Sequence, residues 1–309
     1  MSAVTNANLH TVDHEHVTKF KFLQYNVDQA MREEKFEATK WSNRHPRVQK
    51  LINEVNADIV CLQEMRKLPG TITVNQFLAQ FEQYYYELGY RNPSILAFGQ
   101  ATLYNPNKFY CMQTVKRWLS DTPNLVSDTW AVNAAGTCGF GYIVLGTQFV
   151  PVKDGKVVLN AKPFWVFNVH LGMEEDVKTK SCTKLLELCP SIAQGQEFII
   201  AEDWNFFPDR DGHKQRAIMV TKFKDLGAGA KTLGGKLVEG TFVGYEHDEF
   251  KADLKNMVSR LDNVFGTAGV IASDQTLYTK TMLPEEPEEL TCRNTPSDHL
   301  PLVMTINII

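Results

Sequence analysis

"FNVHL", Phe167 to Leu171, is an apolar run with an imidazole set near its end. Taken alone, His170 reads as a packed, hydrogen-bonded core residue. The same design recurs along the chain. "FLQYNV" carries Asn26, "IVCLQE" ends at Glu64, and "FIIAEDWN" delivers Asp203 and Asn205. "SRLDNVF" holds Asp262, and "TPSDHLPLVMTI" opens on Asp298 and His299. A charge beside a buried run is costly unless it is paired, hydrogen-bonded or bound to metal. One such case is ordinary. Acids and imidazoles placed this way in several strands predict a shared polar cavity at one end of the sheets.

The 309 residues are 43% hydrophobic, enough for a large core. Lys and Arg number 32 against 36 Asp and Glu, a formal net charge of −4. That balance argues against non-specific gripping of DNA through many phosphates. No segment approaches the roughly 20 apolar residues that span a bilayer, so integral membrane association is not expected. The start, "MSAVTNANLHTVDHEHVTKF", lacks a secretory pattern. The six cysteines form no CxxC pair and read as free thiols. Both features point to a cytoplasmic location.

Residues 1–18 read as a flexible N-terminal segment, with His10, His14 and His16 in a loose tail rather than a metal site. Residues 19–309 read as one domain. "KFKFLQYNV" (Lys19 to Val27) and "IVCLQE" (Ile59 to Glu64) are strands. Between them, Val48, Leu51, Ile52 and Val55 line one helix face, with Pro46 expected in the first turn. Further strands are expected in "SILAFGQATLY", "YIVLGTQFVPV", "KPFWVFNVHL", "EFIIAEDW", "RLDNVFG" and "LPLVMTINI". Helices are expected over 75–87, 176–195 and 211–224, with a break near Pro190. The fold class is α/β or α+β: two packed sheets with helices outside. "GAGAKTLGGK", Gly227 to Lys236, lacks the P-loop spacing and reads as a surface loop. "YYYELGY" reads as aromatic packing, and "PEEPEEL" and "YEHDEFK" as surface loops.

Glu64 and Asp298 offer the hard oxygen ligands that Mg²⁺ prefers, and no zinc-type ligand set is present. Asp203 and Asn205, two apart in an extended segment, point to one side. Asp203 there orients a water while Asn205 holds a phosphate oxygen. Asp262 is the candidate carboxylate to orient His299. The set suits in-line attack of water on a phosphate ester.

The ordered segments "LQYNV", "ADIVCLQE", "ATLYNPNKF", "FNVHL", "EDWNFFPD", "SRLDNVF" and "SDHLPLV" resemble the endonuclease/exonuclease/phosphatase superfamily, which shares the fold of deoxyribonuclease I. The likeness runs from Phe20 to about Ile308. "RWLSDTPN", Arg117 to Asn124, is similar to a bacterial-type branch of uncharacterised members. The resemblance implies a four-layer sandwich of two central, mostly antiparallel β-sheets flanked by helices. It implies a metal held by Glu64, with Asn26 and Asp298 beside it: Mg²⁺, with Mn²⁺ as a substitute. It implies that Asn26, His170 and Asn205 contact the phosphate-ester substrate and that Asp203 positions the water. Asp262 would support His299, which stabilises the pentacovalent charge. The implied substrate is a phosphodiester or phosphomonoester, in a small molecule or a nucleic acid. Nuclease action on DNA or RNA is the alternative, and a catalytically silent phosphate-binding module is a second. Oligomeric state is not legible.

Two departures from the family pattern stand out. Glu202 replaces a usual Gly before the motif aspartate, which would reshape the site or add a carboxylate to it. "AGTCGFGYIV" lacks an Arg that the branch usually carries before that strand.

Overall fold

The computed structural model describes residues 18–29, 37–66, 72–92, 98–130, 141–158, 160–205, 212–233, 235, 240–243, 260–279 and 294–309. In chain order its elements are β1 (Thr18–Asn26), α1 (Trp41–Val55), β2 (Ile59–Arg66), α2 (Val74–Leu78), β3 (Tyr85–Tyr90), β4 (Phe98–Tyr104) and β5 (Phe109–Trp118). Then come β6 (Ile143–Lys153), β7 (Lys156–Val157), β8 (Phe164–His170), α3 (Glu175–Ala193), β9 (Phe198–Asp203), α4 (Gly212–Val220) and β10 (Lys224–Asp225). The last are β11 (Lys231–Thr232), β12 (Asp262–Gly266), β13 (Val270–Leu277) and β14 (Leu302–Ile308).

The strands form two sheets, ordered β11-β13-β14-β1-β2-β4-β3 and β10-β12-β9-β8-β6-β5, with β7 on β6. Most pairs are antiparallel; β1 with β2, β8 with β9 and β11 with β13 are parallel. Strand pleating sends alternate residues to opposite faces, and each sheet uses both. Phe20, Phe22, Ile59, Phe164, Val166, Ile199 and Met304 meet between the sheets. Leu23, Tyr25, Val60 and Leu62 turn outward against α1 and α2. Trp165, Phe167, Val169 and Ile200 turn outward against α3 and α4. Two sheets with helices on both outer faces give the expected four layers.

The local departures have physical causes. Helix α1 begins earlier than expected because Trp41 and Arg44 extend its buried face. Pro46 therefore lies inside it, on the exposed side, where solvent can reach the carbonyl that loses its partner. The expected helix over 75–87 is confined to α2, opened by a Thr73–Gln76 capping box. The tyrosines beyond it prefer the pleated edge and form β3. The expected break at Pro190 does not occur: α3 continues to Ala193. Pro190 cannot donate to Leu186, whose carbonyl lies 3.5 Å from Lys222 Nζ instead. Helix α4 stops at Val220, and Lys224–Asp225 join β12. Within the expected loop at 227–236, Lys231–Thr232 pair with β13. Strands β5 and β13, rich in polar residues, were not anticipated.

Among the described residues, Cys61, Cys111, Cys182 and Cys189 are free, and no helix is long and apolar enough to cross a membrane. The histidine-bearing tail, Cys138, Cys292, "PEEPEEL" and "YEHDEFK" lie outside the described residues.

Candidate active site

The inward-facing rows change character at one level. In β1, Phe20 and Phe22 give way to Gln24 and Asn26; in β8, Phe164 and Val166 give way to Asn168 and His170. In β9, Ile199 and Ala201 lead to Asp203, and in β12 Asp262 precedes Val264. Antiparallel β12 and β14 bring their N-terminal ends to the C-terminal ends of β1, β8 and β9. The polar ends therefore coincide.

An amide layer floors this end. Gln24 and Gln63 exchange two hydrogen bonds, and Gln63 Nε2 donates to Asn168 Oδ1 at 2.7 Å. Asn168 Nδ2 donates to the carbonyls of Leu62 and Ala101. The β2–β4 register shifts just beyond that pair, between Leu62 and Met65. Glu64 sits in this bulge with φ of +57°. The bulge turns its side chain toward the facing sheet, on the same side as its neighbour Gln63. Asp28 and Asn205, also at the site, have φ of +45° and +53°. Left-handed backbone at such residues costs on the order of 1–3 kcal/mol each and persists where surroundings enforce it.

Asn26 is the hub. Its Nδ2 lies 3.1 Å from Glu64 Oε1, 2.5 Å from Asp203 Oδ2 and 3.5 Å from His299 Nε2. His170 Nε2 lies 3.5 Å from Glu64 Oε1 and 3.6 Å from Asp203 Oδ2. Asn205 Nδ2 approaches His170 Nε2 at 2.9 Å and donates to Leu171 O, while its backbone N–H donates to Asp203 Oδ1. His299 Nδ1 lies 2.8 Å from Asp262 Oδ2, and its Nε2 lies 3.8 Å from Asp298 Oδ1. The proposed site residues thus come together from β1, β2, β8, β9, β12 and the segment entering β14.

Burial and crowded charge shift these groups. Burial pushes the Asp203 carboxyl up to about 7. Burial, then the Asp298 charge, raises Glu64. Asp28 rises for the same two reasons, although Arg44 lies 3.7 Å away. Burial alone would depress His299, but Asp262, Asp203 and Asp298 overcome it and hold the imidazole well above its ordinary value. Burial drives His170 well below, helped by Arg91. Carboxyls that resist ionisation at such close range suit a divalent cation, which removes the mutual repulsion. Ligand atoms of Glu64, His170 and Asp203, and of Asp203, Asp262 and His299, lie within 4.8 Å of one another. Asp298 belongs to neither group, yet its charge reaches Glu64.

Glu202 does not enter the site. It shares the outward face of β9 with Phe198 and Ile200, and its charge acts on Cys182 and Cys189 of α3. It is fully buried, neither oxygen has a hydrogen-bond partner, and burial holds its carboxyl well above the usual range. The anticipated extra carboxylate for a metal is therefore absent from this cluster. The sequence reading also missed Arg91, whose Nη2 lies 2.8 Å from His170 Nδ1. It directly follows β3, a stretch expected to be helical at its start. The alternation Tyr86, Leu88, Tyr90 was the available signal.

No family model matches the chain. An uncharacterized protein of Acanthamoeba polyphaga mimivirus is 28% identical over 290 residues, covering 92% of this chain and 98% of that protein. The structure of an endonuclease/exonuclease/phosphatase family protein from Bacteroides thetaiotaomicron superposes with a TM-score of 0.74 at 18% identity, covering 95% of this chain and 99% of that one. A mannosyl-6-phosphatase from the same organism gives 0.71 at 19% identity, covering 93% and 98%.

Proposed function

We propose that this chain, which has the fold of the endonuclease/exonuclease/phosphatase proteins, is a divalent-cation-dependent phosphoesterase. It would hydrolyse a phosphodiester or phosphomonoester by in-line attack of water. The observation that carries this reading is the convergence on Asn26 Nδ2 of Glu64, Asp203 and His299, side chains from three distant parts of the chain. Glu64, with Asn26 and Asp298 beside it, would hold Mg²⁺ or Mn²⁺. The bound cation supplies charge stabilisation to the phosphoryl oxygens. Asp203 orients the attacking water and takes its proton. His170 and Asn205 point N–H groups at a phosphate oxygen. His299, kept protonated by Asp262, stabilises the charge that develops as the bond to the leaving group breaks.

The charge balance favours a small or lipid-like phosphate ester over bulk duplex DNA. A silent binding module is less well supported, because the Glu202 side chain lies on the far face of β9.

The test offers purified protein plasmid DNA, RNA, bis-p-nitrophenyl phosphate, a sugar phosphate, inositol phosphates and sphingomyelin. Each is presented with Mg²⁺ or EDTA, alongside Glu64→Gln and His299→Ala. Hydrolysis of one class, abolished by EDTA and cut at least about a hundredfold by either substitution, is expected. Hydrolysis that survives all three would sink the mechanism. Cation binding without hydrolysis would favour the binding module.

A further inference from the structure

We propose that Arg91 is a positioning residue that fixes His170 in its Nε2–H tautomer, making it a donor to the substrate's phosphate oxygen and barring it from ligating a cation. This rests on the phosphoesterase reading for its consequence, though not for its geometry.

Arg91 and His170 are each 6% exposed. Arg91 Nη2 lies 2.8 Å from His170 Nδ1 and 3.4 Å from the His170 carbonyl. The guanidinium is held in place by its surroundings. It stacks on Tyr142 at 4.7 Å and on Phe98 at 5.5 Å, and its backbone carbonyl accepts from Trp118 Nε1. A guanidinium has five N–H donors and no acceptor. The ring nitrogen facing it must therefore carry a lone pair.

A neutral imidazole has one N–H and one lone pair. With Nδ1 accepting from Arg91, the ring hydrogen belongs on Nε2. That turns the ring hydrogen toward Asn205 Nδ2, which stands 2.9 Å away and donates to Leu171 O. A charged donor outweighs a neutral one, so Arg91 rather than this amide sets which ring nitrogen keeps the lone pair. The nearest carboxylate oxygens stand at 3.5 and 3.6 Å from Nε2, too far for strong hydrogen bonds. An Nε2–H that faces an amide donor and lacks a close acceptor suits an incoming anionic oxygen.

The same assignment removes His170 from metal chemistry. Ligation needs the Nε2 lone pair, and ligating histidines turn their other N–H to a carboxylate or carbonyl. Arg91 offers neither. So although Glu64, His170 and Asp203 present ligand atoms within 4.8 Å of one another, the imidazole stands beside a cation rather than on it.

The experiment reads the imidazole nitrogens of the full-length protein by long-range ¹H–¹⁵N correlation near neutral pH, with His170 assigned by its loss in His170→Asn. Nδ1 should resonate as an acceptor nitrogen and Nε2 as an N–H. A protonated Nδ1 in the wild type overturns the proposal. Arg91→Lys, which still donates, should keep the pattern; Arg91→Glu, which accepts, should reverse it. An unreversed pattern in folded Arg91→Glu assigns the tautomer to something else and also overturns the proposal. Mn²⁺ titrated by electron paramagnetic resonance should bind His170→Asn as tightly as wild type, and a loss of about tenfold or more would make His170 a ligand or its support. None of these readouts needs turnover, so they can fail while the phosphoesterase reading stands, and the reverse.

Discussion

The two buried histidines are built on opposite principles. His299 has a carboxylate behind Nδ1, Asp262 Oδ2 at 2.8 Å, and two further acids near its Nε2. His170 has a guanidinium behind Nδ1, Arg91 Nη2 at 2.8 Å. Both are almost fully buried, so solvent does not distinguish them. Burial depresses both rings. The carboxylates around His299, Asp262 first, override it and hold that ring well above its ordinary value, whereas Arg91 adds to it and His170 stays well below. A hydrogen bond from a charged donor is about twice as strong as a neutral one. Charge that develops late in the reaction should therefore fall to His299, and charge already present on the bound phosphate to His170.

That contrast can be broken most decisively by truncation. His299→Ala should lower kcat by about a thousandfold, and His170→Ala by nearer a hundredfold. Steady-state kinetics on the substrate found by the panel would measure both; equal losses would dissolve the distinction. Asp262→Asn comes next, at about a hundredfold or less. It removes the main partner that raises the His299 proton affinity. The alkaline side of the kcat/KM profile should accordingly move to lower pH, because the imidazolium is lost earlier. A merely structural role for Asp262 would lower the whole profile without moving it.

A gentler test leaves the chain intact. In EDTA the Asp203 carboxyl, followed by ¹³C NMR, should titrate near 7 rather than in the ordinary carboxylate range. Adding Mg²⁺ should shift that titration to lower pH, since a nearby cation favours the charged form. The smallest effect on turnover is expected at Glu202→Gln, within about twofold. Its effect is on stability. The folded-state value of Glu202 is raised, so its stabilising share is full below the ordinary carboxylate range and is lost as pH rises through the folded value. Wild-type stability should then fall across that window more steeply than that of the glutamine variant, by about 1.4 kcal/mol per pH unit. Melting curves at several pH values would show the two diverging as pH rises.

Much of this arrangement was legible in the chain. A strand that passes from Phe164 and Val166 to Asn168 and His170 along one face announces where its row leaves the core, because pleating fixes which residues share a side. Helix α1 was legible through Val48, Leu51, Ile52 and Val55. What escaped depends on contacts across sequence distance. Arg91 is placed by β3 pairing with β4 and by Tyr142, some fifty positions on. Pro190 reads as a break until Lys222 is seen approaching the Leu186 carbonyl. Glu202 looked like a site residue because it adjoins Asp203, yet adjacency along a strand means opposite faces.

The bulge at Glu64 carries a cost that reaches into how this protein can change. Glycine at position 64 or 205 would rest easily where Glu64 and Asn205 hold a left-handed backbone. A library sorted only for heat resistance should therefore enrich glycine at these positions and discard the chemistry along with the strain. Robustness and turnover compete here over the same few dihedral angles.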